Sequence, residues 1–173
     1  MHYDNNKPKY IRRVIYALCI VAFVTLQNSK FSLPQIFGAR ALIILPVCVS
    51  IAMHEREVSA AVFGAFAGVL VDLSTAGDGF NSVVLMLICA VCSLLISHFM
   101  RNNLVTALVL NAGSLAVYQI FYIVFNLVVG GRINPVRQIF TFYLPSFIYT
   151  IVFVPVFYEL TKIIYKNFKT TDE

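Results

Sequence analysis

The chain has 173 residues, of which 60% are hydrophobic and only 12% charged, and its mean hydropathy is +0.82. Soluble domains carry about 25% charged residues, so this composition excludes a water-covered globule and implies an all-α integral membrane protein, a single transmembrane domain over residues 1–173. The formal net charge of +5 does not point to nucleic acid, because the basic residues lie between apolar segments and form no dense face interleaved with aromatics.

Six apolar segments follow one another. The first covers about residues 11–27, behind a basic head of Lys7, Lys9, Arg12 and Arg13. The exit Gln27-Asn28-Ser29-Lys30 lacks the small residues of a cleavage site, which predicts an uncleaved span and not a signal peptide. The second covers about 41–53, short against the ~20 residues of a full crossing. A start near Leu33, with Arg40 snorkelling, would lengthen it, and Pro46 is expected to kink it. After the charged turn His54-Glu55-Arg56-Glu57 comes the third, about 58–73, and then a turn over 74–81 rich in Gly, Asp and Ser.

The fourth covers about 82–99 and is broken by Arg101-Asn102-Asn103. The fifth covers about 104–129 and stops at Gly130-Gly131, the residue type that ends helices. Asn134-Pro135, a helix cap followed by a first-turn proline, opens the sixth, about 136–165, which Pro145 and Pro155 should bend.

With six spans and the N-terminus inside, the inner side holds Lys7, Lys9, Arg12, Arg13, Arg56, Arg101, Lys162, Lys166 and Lys169, and the outer side only Lys30, Arg40, Arg132 and Arg137. That bias puts both termini in the cytoplasm. Cys19, Cys48, Cys89 and Cys92 all fall inside apolar segments. The Cys89-Ala-Val-Cys92 pair has no second pair or nearby histidine to complete a metal site, so all four read as small buried hydrophobes.

Polar residues recur at helical spacing within the spans. Asn111, Ser114, Tyr118, Tyr122 and Asn126 form one stripe on the fifth helix, and Tyr143, Ser146, Tyr149, Thr150 and Tyr158 a similar rhythm on the sixth. Polar groups are costly against lipid, so these stripes should face other helices or line a small-molecule pocket. In the third segment Ala60, Gly64, Gly68 and Asp72 lie four apart and share one face. Such a small-residue track lets two helix backbones approach closely in lipid, whether the second helix belongs to this chain or to a partner. Asp72 either bonds the amides of the turn that follows or anchors a polar interface. A proton relay would need a chain of acids that the spans lack. Asp78 and Asn81 are candidate caps for the fourth helix, with Gly77 and Gly79 supplying the tight turn before it.

The run Gly64-x-x-x-Gly68-x-x-x-Asp72, the short turn, and Gly79-Phe-Asn81 leading into an apolar helix resemble the MreD family of bacterial rod shape-determining membrane proteins. Arg40-Ala41-Leu42-Ile43-Ile44, the charged turn and the glycine helix add to the likeness, which covers about residues 40–100 at motif level. Ala41 departs from it, since many relatives have proline there. The resemblance implies a non-enzymatic scaffold in the inner membrane, part of the cell-elongation machinery (elongasome). Such a scaffold binds MreC, a single-span protein. Through MreC it links the MreB filament to the glycosyltransferase and transpeptidase of lateral peptidoglycan synthesis.

The residues agree with that implication. They offer no nucleophile–base pair, phosphate loop or metal cluster, and His2, His54 and His98 stand isolated at segment ends, so no catalytic residue, cofactor or metal is expected. Because the MreD fold is similar to that of the substrate-binding subunits of energy-coupling-factor vitamin transporters, such a subunit is the alternative, with the polar stripes lining its pocket. Against it, the first helix lacks an Ala-x-x-x-Ala pair, since Ala17 and Ala22 are five apart. A small ion channel would need more buried charge.

Overall fold

The structure, a computed structural model, describes residues 7–28, 42–75, 79–130 and 144–168. These form six helices: α1 (Lys7–Asn28), α2 (Ile44–Ala52), α3 (Glu57–Thr75), α4 (Phe80–His98), α5 (Leu104–Gly130) and α6 (Leu144–Asn167). There is no strand among the described residues. Four helices contain stretches long and apolar enough to cross a bilayer, Lys9–Asn28, Glu57–Thr75, Phe80–His98 and Leu104–Phe125, as expected of a multi-pass membrane protein.

The contacts at helix ends fix the direction of each helix. Arg12 and Arg13, near the start of α1, bond Glu55 and Ser59 at the start of α3. At the other end of α1, the Gln27 side-chain carbonyl accepts the Ile44 amide at the start of α2, 3.0 Å away. The chain therefore returns along α2 to the end where it began. Ser93 near the end of α4 reaches Glu55, Tyr118 of α5 reaches Asn81 at the start of α4, and Thr161 late in α6 meets Tyr16 of α1. Each helix runs against the one before it. The start of α1 and the end of α6 share one face of the bundle, called here the terminal face; the α3–α4 turn lies at the opposite face. Every Lys and Arg among the described residues sits towards the terminal face.

α2 differs from the expected second span. It has nine residues, about 14 Å of helix against the ~30 Å of a hydrocarbon core, and all nine are buried. A helix that is apolar all round belongs inside a bundle, and here it touches every other helix. Pro46, expected to kink it, falls in its first turn. It stands third in the helix, where the missing N–H would have had no intrahelical acceptor. The possible start near Leu33, the Asn134-Pro135 cap and Gly131 lie outside the described residues. Pro155 does fall inside α6. Asn103 supplies the start of α5, its carbonyl accepting the Ala107 amide at 2.9 Å. Around α2 pack Tyr16 and Ile20 of α1, Phe63 and Ala67 of α3, Leu85 and Ile88 of α4, Leu115 of α5 and Val154 of α6, all buried.

The glycine track of α3 is seated on α4 of the same chain. A Cβ built on Gly64 would stand 2.6 Å from the Leu85 carbonyl oxygen and 2.9 Å from the Cys89 side chain. One on Gly68 would stand 2.6 Å from the Asn81 carbonyl oxygen and the Ser82 amide nitrogen. Ala60 is fully buried one turn earlier. Backbone cannot step aside as a flexible side chain can, so at Gly68 even one methyl forces the helices apart. We expect Gly68→Ala to cost about 1–3 kcal/mol. Gly113→Ala, on α5 with nothing within 4 Å of the new methyl, should be neutral or stabilising by up to about 1 kcal/mol. Thermal midpoints of the two variants in detergent check this; equal midpoints would contradict it.

Candidate functional site

Of the sequence-derived site residues, Gly68, Asp72, Gly79, Asn81, Tyr118 and Tyr122 assemble at the opposite face into one joint between α3, α4 and α5. Helix α4 opens without a cap of its own. Its N-cap is Gly79, in the left-handed region at φ 79°, a conformation that favours glycine, and it offers no side chain to the exposed amides of the first turn. Asp72, one helix away, supplies the cap. Its Oδ1 accepts the Asn81 amide at 3.3 Å and the Asn81 side-chain Nδ2 at 2.9 Å, and its Oδ2 accepts the Ser82 amide at 2.9 Å and the Ser82 hydroxyl at 2.6 Å. The carboxylate is buried. It is held by four donors and by the positive end of the α4 dipole.

The network continues through Asn81. Its Oδ1 accepts the Tyr118 hydroxyl at 2.5 Å, and Tyr118 stacks on Tyr122 at 6.4 Å between centroids. Phe80 packs edge-on to Tyr122 and at 4.6 Å from Phe125. Asn81 is thus the second residue of α4 and a bridge between Asp72 and Tyr118, not the cap the sequence suggested. Gly77 and Asp78 lie outside the described residues, as does the Asn126 side chain.

The rest of the α5 stripe turns inward. Asn111 is fully buried, its Nδ2 donating to the Ala107 carbonyl, and Ser114 lies 3.2 Å from the Cys92 sulfur. Tyr122 is exposed. Tyr143 is outside the described residues and nothing is said of the Ser146 and Tyr149 side chains. Thr150 is buried, receiving the Leu42 amide at 3.2 Å, and Tyr158 is buried at the other end of α6. Among the described residues no group of His, Cys, Asp or Glu could hold a metal ion.

A second polar cluster, at the terminal face, was not legible beforehand. The sequence marks His54-Glu55-Arg56-Glu57 only as a charged turn; in the structure its Glu55 is buried. It accepts Arg12 Nε at 2.7 Å, with side-chain exposures of only 3% and 1% for the pair. Arg13 Nε lies 3.8 Å from the second carboxylate oxygen, and its Nη2 donates to Ser59 at 2.8 Å. The Ser93 hydroxyl donates to the Glu55 carbonyl, and the Arg12 guanidinium lies 5.0 Å from the centroid of the Tyr165 ring. Asn102 bonds the Met53 carbonyl at the end of α2 and accepts the Tyr158 hydroxyl at 3.2 Å. The available signal was the adjacent pair Arg12-Arg13 in α1, one residue set at the membrane edge and one a turn-face neighbour of it; only the fold shows that one of them points inward.

His54 belongs to this cluster and is half-buried. Its Nδ1 lies 2.9 Å from the Ser50 carbonyl, and its ring packs 5.8 Å from Tyr158 and 5.2 Å from Tyr165. Loss of water around the imidazole holds its pKa below the usual range, the bond to Ser50 opposes that shift, and the cations Arg12 and Lys162 add to it.

Removing one partner of a buried pair strands the other, so Asp72→Ala should cost about 2–4 kcal/mol and fray the first turn of α4, and Glu55→Ala about 3–5 kcal/mol. Unfolding in mixed micelles measures both; a loss below about 1 kcal/mol at either position would contradict the geometry. The His54 proton is refused by the folded state and accepted by the unfolded chain near pH 6.5, so its stabilisation is complete above that pH and is lost as pH falls below it. Thermal midpoints should drop between pH 7.5 and 5.5, and His54→Gln should flatten that drop. An unchanged slope would remove His54 from the account.

No family model, no curated protein and no solved structure matches the chain.

Proposed function

We propose that this chain is a non-enzymatic membrane scaffold of the bacterial cell-elongation machinery, of the kind the MreD family represents. One observation carries the reading: of the residues of the motif resemblance, Gly68, Asp72, Gly79 and Asn81 meet in a single joint, and Gly64 packs α3 on α4 one turn away, so that the motif is spent on holding helices together. A motif with that use suits a protein whose product is a rigid shape. In this reading the chain crosses the inner membrane six times. The terminal face is cytoplasmic, because the basic residues gather there. Its partner is an MreC-like single-span protein, and through it the MreB filament and the wall-building glycosyltransferase and transpeptidase.

The glycine face is already occupied by α4, so partner docking falls to other surfaces. Exposed apolar side chains on α1 (Val14, Leu18) and α5 (Val117, Phe121) are the membrane-facing candidates. A vitamin-binding subunit with the energy-coupling-factor fold would draw its ligand contacts from the polar stripe. Asn111, Ser114 and Tyr118 instead contact neighbouring backbone and side chains.

Mass spectrometry of the protein purified gently from its native membrane tests the reading. A single-span, coiled-coil-containing partner together with wall synthases is expected. ATPase subunits with a bound vitamin would overturn it.

A further inference from the structure

A cavity of about 830 Å³ opens at the terminal face, between the start of α1, the turn before α3 and the end of α4. Lys9, Arg13 and Arg56 line it, together with the hydroxyls of Ser59 and Ser97 and the first turn of α3. Two carboxylates also reach it. Glu55 is neutralised by its buried bond to Arg12 behind the wall, and Glu57 lies 3.9 Å from His98. Lys9 and Arg56 make no ion pair among the described residues. The cavity is thus a cationic recess with hydroxyl donors, suited to an anion with several acceptor oxygens.

The wall beside it is apolar. Val58 lines the cavity, and Val62 and Phe66 continue from it down α3 at steps of four, all three exposed. Val69 and Leu73 prolong that exposed face to the far end of the helix. A polar, cationic recess at the helix ends that runs directly into a lipid-facing apolar track has the two-part chemistry of a phospholipid.

We propose that this recess is a binding site for the phosphate headgroup of an anionic phospholipid, whose acyl chain lies along Val58, Val62 and Phe66. The site holds whether or not the scaffold reading does, because lipid binding needs no protein partner. Lys9 and Arg56 supply the free charge, while Arg13 is shared with Glu55 and Ser59 and shapes the wall.

The test uses the full chain, delipidated in detergent, and native mass spectrometry with added phosphatidylglycerol, phosphatidylcholine or inorganic phosphate. Phosphatidylglycerol should be retained at least about tenfold better than phosphatidylcholine, and millimolar phosphate should not displace it. The double variant Lys9→Gln/Arg56→Gln should weaken phosphatidylglycerol binding about 25-fold, about fivefold for each charge removed. If the double variant does not fold, Arg56→Gln alone, at an exposed turn position, should show the fivefold loss. Equal retention of the two lipids would overturn the site, as would a preference that survives the substitutions. Displacement by phosphate would assign the recess to a soluble anion and remove the lipid from it.

Discussion

The bundle depends on a carboxylate that caps a helix other than its own. Helix α4 begins at a left-handed glycine, and that glycine cannot satisfy the amides the helix exposes. In lipid an unsatisfied amide has no water to turn to, and each one left bare costs several kcal/mol. Asp72 meets that need only if α3 and α4 lie within bonding distance at their ends. The glycines one and two turns earlier permit that approach: Gly68 brings the α3 backbone against Asn81 and Ser82, the same residues whose donors Asp72 holds. Close packing and capping are therefore one constraint. Removal of the small residues would pull the carboxylate from its donors, and removal of the carboxylate would leave the packed helix end uncapped.

The terminal face solves the opposite problem with the same device. Where α2 ends and α3 begins, the chain turns beneath the start of α1, and the buried Glu55 is met by Arg12 from that helix. Such a pair adds little net stability over an apolar replacement, but it fixes which helix end lies against which. With Asp72 joining α3, α4 and α5 at one face and Glu55 joining α1, α3 and α4 at the other, the helices are pinned at both ends. In a bilayer this matters more than it would in water, because apolar side chains gain little by leaving lipid for one another.

Much of this was legible in the sequence where one local rule governed. Composition and run length announced the membrane helices, and Gly79, expected to ease entry into α4, does stand at its N-cap in the left-handed region. The spacing of Ala60, Gly64, Gly68 and Asp72 identified a docking face, and the residue chemistry allowed Asp72 to bond the turn that follows. What the sequence could not carry was tertiary pairing. It offered Asn81 as a cap, because capping is ordinarily supplied from within the same chain segment, and the competing acceptor nine residues away wins only once α3 and α4 are side by side. It read Pro46 as a kink because helix starts are hard to place inside a uniformly apolar run; a start three residues later makes Pro46 a tolerated first-turn residue. It marked His54 to Glu57 only as a charged turn, and nothing local tells Glu55 from Glu57.

The central claim, that Asp72 holds the start of α4, is tested most directly by a double-mutant cycle between Asp72→Ala and Ser82→Ala on unfolding in mixed micelles. The 2.6 Å bond between the Ser82 hydroxyl and the carboxylate should appear as a coupling of about 1–2 kcal/mol. Strictly additive effects would mean that the carboxylate and the helix start do not meet, and the joint described here would not exist.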